Sequence, residues 1–306
     1  MEWISLFKGL LKHDEEPEAI SMTVSVKEAG ALSEQISESQ ASSLVELKLS
    51  GNLGGEDLSF IHTRCKRLER LDISDTRLTG GRFVCCKHKN FYDFGTDELA
   101  GHTLHIGNLK EVTLPASVSS ILISSFADLD FGECSDRSEL TRLSGAFGAE
   151  LENINVPSTN IFYSSYDGIL YNKEMTELLK CPLSHKKEVT FPKTLKRISA
   201  NAFRECRFIE SVDIPEGVTS IGEKAFYGCD SLRRLSLPAS VTTLDDDVFA
   251  HSYKLDTLEC SWKNPLPLSL TRSSSVMKCR LIVPAESVQA YSSAPYWSEF
   301  KKIIGK

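Results

Sequence analysis

Residues 189–257 spell one phrase three times without a gap: VTFPKTLKRISANAFRECRFIES, VDIPEGVTSIGEKAFYGCDSLRR and LSLPASVTTLDDDVFAHSYKLDT. The step is 23 residues. A branched apolar residue opens each copy (Val189, Val212, Leu235) and a proline follows three later (Pro192, Pro215, Pro238). An aliphatic (Leu195, Val218, Val241), a second aliphatic (Ile198, Ile221, Leu244) and a phenylalanine (Phe203, Phe226, Phe249) complete the columns. A unit this short cannot cover its own apolar face, but stacked units bury a continuous core, so a fixed period in this range predicts a solenoid.

Within a unit, Val212 and Ile214 alternate with Ser211 and Asp213, the pattern of a half-buried strand. Pro215 cannot continue a ladder and keeps the strand short. The segment from Gly222 to Cys229 is too short for a free helix and reads as one or two helical turns with Phe226 inward. The predicted fold is therefore α/β: a solenoid with parallel β-strands on one face and short helical turns on the other. Repeats of the form L-x-x-L-x-L-P-x-x-V-x-x-I-G-x-x-A-F-x-x-C resemble the BspA-like leucine-rich repeats, a family of bacterial surface proteins. Ile209, Val212, Ile214, Pro215, Val218, Ile221, Gly222, Ala225, Phe226 and Cys229 carry that resemblance. It implies a curved solenoid used for binding, without catalysis.

A chain of 306 residues could hold two globular domains, but the repeat favours one elongated unit. The net charge of −7 argues against nonspecific nucleic-acid binding. No apolar run approaches the ~18 residues that span a membrane. Nine cysteines suggest a disulfide framework, but Cys206 and Cys229 fall one repeat apart in the same inward column. They read as buried, reduced thiols behaving as small hydrophobes.

In chain order, residues 1–20 are a tail or short helix, with Trp3, Phe7, Leu10 and Leu11 on one helical face and no secretory leader pattern. Residues 21–79 form an N-terminal cap and divergent leucine-rich repeats: Thr23 to Val26 alternates as a strand, Ala29 to Gln40 reads as a short helix, and Leu47-Lys-Leu-Ser-Gly recurs as Leu71-Asp-Ile-Ser-Asp. Residues 80–98 are a loop insertion carrying Phe91, Tyr92 and Phe94. The repeats resume over 99–280, with an irregular insertion at 126–142 and a hairpin near 162–182 that turns at Asn172 to Thr176. Residues 281–306 form a C-terminal cap in which Val288, Tyr291, Trp297, Phe300 and Ile303 cover the last coil.

The chemical candidates are few. Cys85, Cys86, His88, His102 and His105 make a poor zinc set, because structural zinc wants spaced ligand pairs. Asp245-Asp-Asp247 lacks the converging oxygens of a calcium loop and reads as a solvated helix start. No nucleophile elbow, metalloprotease helix or phosphate loop occurs, and Cys134, Cys181 and Cys260 have no activating context. No cofactor is expected. The outward strand positions form two columns: Glu46/Lys48, Arg70/Asp72, Glu111/Thr113, Asn153/Asn155, Glu188/Thr190, Ser211/Asp213, Arg234/Ser236, Thr257/Glu259 and Arg280/Ile282. Only Arg70, Arg234 and Arg280 there are of the type that anchors interfaces.

The expected function is a non-catalytic binding or adhesion module with a protein partner, such as a host extracellular-matrix or surface protein. Its candidate residues are Phe91, Tyr92, Phe94, Arg70, Arg234 and Arg280. One rival is a glycan- or mucin-binding module using Phe91, Tyr92, Phe94, Tyr163 and Tyr166; the other is a structural spacer. The resemblance implies a cell-surface or secreted location, with the cytoplasm as the alternative.

Overall fold

The computed structural model describes residues 18–84, 91–99, 104, 106–121, 150–186, 188–269 and 278–306, with the side chains at 91 and 92 left aside. The chain opens with β1 (Ile20–Val26), α1 (Leu32–Gln35), α2 (Glu38–Ser43), β2 (Leu44–Leu53), α3 (Gly55–Arg64) and β3 (Arg70–Leu78). Next come β4 (Gly81–Val84), β5 (Phe91–Phe94), β6 (Glu98–Leu99), β7 (Glu111–Thr113), β8 (Ser120–Ile121) and β9 (Asn153–Asn155). A meander follows: β10 (Tyr163–Tyr166), β11 (Ile169–Asn172) and β12 (Glu177–Lys180). Short strands then alternate: β13 (Arg197–Ile198), β14 (Ser211–Asp213), β15 (Ser220–Ile221), β16 (Arg234–Leu237), β17 (Thr243–Leu244), β18 (Thr257–Cys260) and β19 (Arg280–Val283). The chain closes with α4 (Val288–Ser293) and β20 (Lys302–Gly305).

The repeat becomes a parallel ladder. Val212 pairs with Leu235, Leu235 with Leu258 and Leu258 with Leu281, each a repeat on from the last. The same column in the N-terminal part pairs Leu47 with Leu71, Leu71 with Val112 and Val112 with Ile154. The second aliphatic column also forms strands, which the sequence reading did not anticipate. β13, β15 and β17 pair in parallel, so the coils carry two narrow sheets rather than one.

The inward columns fill the core. Leu195, Ile198, Phe203, Val218, Ile221, Phe226, Val241 and Phe249 are all buried, and the Phe203 and Phe226 rings stack 4.8 Å apart. That distance is the spacing of neighbouring strands, so one ring sits on the next coil's ring.

The expected helical turns of the repeat stretch are turns of another kind. Asn201, Lys224 and Asp247 hold φ of 58°, 54° and 54°, and Glu205, Gly228 and His251 hold 61°, 65° and 61°. Two left-handed residues per coil break a helix and swing backbone N–H groups toward the next coil. Asn201 N–H donates to Glu223 O, Lys224 N–H to Asp246 O, Glu205 N–H to Tyr227 O and Gly228 N–H to Ala250 O. The turn side is therefore laddered from coil to coil, as the strand side is.

Two other expectations shift. The helix read from Ala29 to Gln40 is split into α1 and α2, because Ser37 caps α2 and exchanges hydrogen bonds with Gln40. The insertion at 80–98 includes an antiparallel pair, β4 with β5, rather than loop alone. The hairpin that turns between Asn172 and Thr176 is present as β11 and β12 and gains a third strand, β10.

The strand face breaks at one place. Glu188 and Thr190 do not lie in a strand. The Asp167 carboxylate, held at the β10–β11 turn, accepts the Thr190 N–H at 3.1 Å and its hydroxyl at 2.8 Å. On the other side Ile154 N–H donates to Gly168 O. The hairpin turn thus occupies the place a coil's strand would take. Gly168 has φ of 73°, and a Cβ there would meet Asn153 Oδ1 at 2.3 Å, so this insertion needs glycine. The face is consequently two sheets, β1-β2-β3-β7-β9 and β14-β16-β18-β19-β20.

Candidate binding face

The face is built by β-strand alternation. With Leu47, Leu71, Val112, Leu235, Leu258 and Leu281 turned into the core, their neighbours on either side turn out. On the N-terminal sheet the outward residues pair by charge. Arg70 bonds Glu46, which also accepts from Ser21 Oγ at 2.8 Å. These donors hold the Glu46 carboxyl below its ordinary range, the Arg70 bond foremost. Lys48 lies 3.0 Å from Asp72 and 3.2 Å from Asp75, which raise its pKa. Asn155 Nδ2 donates to Glu111 at 2.5 Å. A shallow hollow of about 380 Å³ lies over this sheet, lined by Thr23, Glu46, Lys48, Arg70, Asp72 and Glu111 among others.

On the C-terminal sheet Arg234 bridges Asp213 and Glu259, reaching the latter at 3.1 Å. Lys306 also bonds Glu259, and this contact, then Arg234, keeps the Glu259 carboxyl low against its partial burial. Arg280 donates to Thr257 Oγ1 at 3.0 Å and lies 3.7 Å from Asp256. Arg70, Arg234 and Arg280 thus all reach the outer face, on two separate sheets.

The aromatic candidates do not gather. Phe94 is buried and belongs to the core under β4, together with Phe83. Tyr163 is half-buried, with its hydroxyl 3.4 Å from Ser119 O, and Tyr166 is exposed. The side chains of Phe91 and Tyr92 lie outside the described residues, as do Cys85, Cys86, His88, His102, His105 and Cys134. Exposed apolar residues that the sequence pattern does not mark are Ile161, Phe162, Phe208, Tyr253 and Tyr296. They fall in turns, where no periodic column marks them.

Asp245 to Asp247 is a coil turn rather than a helix start: Asp247 takes the left-handed position and donates its N–H to Ser269 O. Among the described residues no group of three or more His, Cys, Asp or Glu side chains could hold a metal. Cys65, Cys181, Cys206, Cys229, Cys260 and Cys279 are free and buried. Burial pushes the Cys65 and Cys279 thiols up to about 12 and raises Cys181, Cys229 and Cys260 as well. Such thiols are inert. They serve the stack instead: Cys229 Sγ donates to Phe203 O at 3.1 Å, and Ser252, one repeat on, donates to Phe226 O at 2.6 Å.

The outward columns run one strand further at both ends than the repeat pattern marks. Ser21 and Thr23 precede Glu46 and Lys48 in register, and Lys302 and Ile304 follow Arg280 and Ile282. The second pair was hidden because β20 follows β19 after 22 residues and lies inside the C-terminal cap. The signal was Lys-Ile-Ile-Gly (302–305) beside Arg-Leu-Ile-Val (280–283).

In-register parallel strands, stacked coils and an outward polar face together define a leucine-rich repeat fold. Residues 180–277 match the BspA type leucine rich repeat region in six copies, so this stretch is a BspA-type repeat array. Repeats of this class form protein-interaction modules. Similar solved structures include a leucine-rich repeat protein from Eubacterium ventriosum, 16% identical, covering 86% of this chain and 73% of that one at a TM-score of 0.48. A leucine rich cell surface protein from Faecalibacterium prausnitzii is 15% identical over 88% of this chain and 65% of its own, with a TM-score of 0.45. The pneumococcal vaccine antigen PcpA is 18% identical over 94% and 68%, with a TM-score of 0.43. No curated protein matches the sequence. No helix among the described residues is long and apolar enough to cross a membrane.

Proposed function

We propose that the chain is a non-catalytic module that holds a protein partner on its strand face and works at a bacterial cell surface. One observation carries the reading: both sheets turn outward a set of side chains that the core does not use, in register from β1 to β9 and from β14 to β20, exposed or half-exposed except for Thr257, which is buried and bonded to Arg280. A regular array of this kind is a rigid template on which contacts can be varied without cost to the fold. The BspA-type array and the buried, inert thiols fit a binding role. Phe94 is core, so adhesion through the aromatic insertion has less support than the face.

The test is a pull-down of extracellular-matrix proteins and mucin glycans with the intact chain and with an Arg70→Glu, Arg234→Glu variant. Protein captured by the intact chain and lost by the variant is the expected result. Capture of glycan alone would transfer the reading to sugar binding, and capture of neither would leave a spacer. Protease shaving of intact cells checks the location.

A further inference from the structure

We infer that the C-terminal end of the strand face, around Arg280, Ile282, Lys302 and Ile304, docks an extended acidic segment of a partner protein that carries apolar side chains between its carboxylates. The inference rests on the protein-binding reading above and adds the place and the partner's chemistry.

Charge distribution points there first. The chain as a whole carries −7, yet residues 254–306 hold eight Lys and Arg against four Asp and Glu. The arrangement on the sheet is more telling. Arg280 and Lys302 are direct partners in the β19–β20 register. Like charges side by side across strands are destabilising. The N-terminal sheet avoids this in the equivalent column, where Arg70 sits between Glu46 and Glu111. Nearby carboxylates do little to compensate the C-terminal pair. Lys302 has no carboxylate within ion-pair distance among the described residues, and Arg280 has only Asp256 at 3.7 Å, both more than half exposed. An arrangement that costs stability and is avoided elsewhere in the same fold marks a site kept for a ligand.

The neighbouring column names the ligand's other half. It reads Asp213, Ser236 and Glu259, then Ile282 and Ile304, which are register partners and half-exposed. Cation and isoleucine are two residues apart on each strand, both on the outward face. An extended chain laid along the strands has the same two-residue spacing, so a carboxylate and an apolar side chain two positions apart reach both columns together. A sulfated polysaccharide would meet the cations but would gain nothing from the isoleucine pair.

The experiment uses fluorescence anisotropy with the intact chain and a labelled peptide of the repeating form Glu-Ser-Leu-Ser. Arg280→Glu with Lys302→Glu is expected to weaken binding about tenfold or more, and Ile282→Ser with Ile304→Ser to weaken it comparably. Lys193→Glu with Lys196→Glu, which changes net charge equally on exposed loop residues, is expected to leave it unchanged. Should the double glutamate variant lose its near-ultraviolet circular dichroism, Arg280→Gln with Lys302→Gln replaces it, with a smaller loss expected. Equal weakening by the control pair, no peptide binding, or binding of heparin but not peptide would each overturn the inference. The pull-down decides the binding-module reading separately, since it can succeed through Arg70 and Arg234 while this peptide fails.

Discussion

Gly222 shows how closely neighbouring coils approach. A Cβ on it would lie 2.5 Å from Ala200 N and 2.9 Å from Ala200 Cα, and backbone atoms cannot swing aside. Gly222→Val is therefore expected to cost roughly 1–3 kcal/mol, as overpacking does, read as a lowered urea midpoint. An unchanged midpoint would mean the coils can separate freely. The repeat does not mark this glycine, since Ser199 and Asp245 hold the same column in the neighbouring copies; the reason for it is the approach of Ala200, which the sequence does not display. His185 was not legible at all. It is buried where the hairpin meets the repeats, its Nδ1 3.2 Å from Glu152 O and its Nε2 4.0 Å from Asp167. Burial lowers its pKa from the ordinary 6.5, although Asp167 opposes the shift. The folded chain then binds a proton less readily than the unfolded one, so stability is full above about pH 6.5 and falls as pH drops toward the lowered value. Urea midpoints of the native chain should decline between pH 7 and 5 more steeply than those of His185→Gln; parallel declines would sink this assignment.

Each coil carries two parallel ladders and one ring in a stack. Phe226, buried on Phe203, has no room to be replaced by a smaller group without leaving a void. Phe226→Ala should cost about 3–5 kcal/mol, measurable as a lowered melting temperature. A loss below 1 kcal/mol would show that the coils close over the gap. At this scale the sequence was legible wherever a column repeats: Val212, Leu235, Leu258 and Leu281 pair in the register their spacing dictates. It was illegible where a contact replaces the column. Thr190 leaves the ladder because a carboxylate 23 residues earlier takes its N–H. The turns from Asn201 to Glu205 and from Lys224 to Gly228 look helical by length, yet their left-handed residues serve bonds to the next coil that no single repeat reveals. The binding face was legible as two columns but not to its end, where β20 joins out of period.

The stack is divided at the hairpin of β11 and β12. Along β11, Ile169 and Tyr171 face a core that extends to Phe300, while Leu170 faces a core that begins at Val24. Alternation along a strand sends neighbours to opposite sides, and β12 does the same, with Leu178 in the core of Phe300 and Leu179 packed against that of Val24, so β11 and β12 form a wall between two cores, tied to β9 through Ile154 N–H and Gly168 O. Repeat stacks unfold as units joined by nearest-neighbour interfaces, and a wall of this kind is a weak coupling between two such units. Trp262 and Trp297 both lie in the C-terminal core, 6.1 Å apart, whereas circular dichroism reports both cores. In a Trp3→Phe background, fluorescence therefore follows the C-terminal unit alone. Leu47→Ala, a buried truncation in the other core costing about 2–5 kcal/mol, should pull part of the dichroism transition to lower urea and leave the fluorescence midpoint where it was. A fluorescence midpoint that moves with the dichroism would show that β11 and β12 couple the halves into one cooperative unit, and that a partner held at β19 and β20 would stabilise the chain as far as β1.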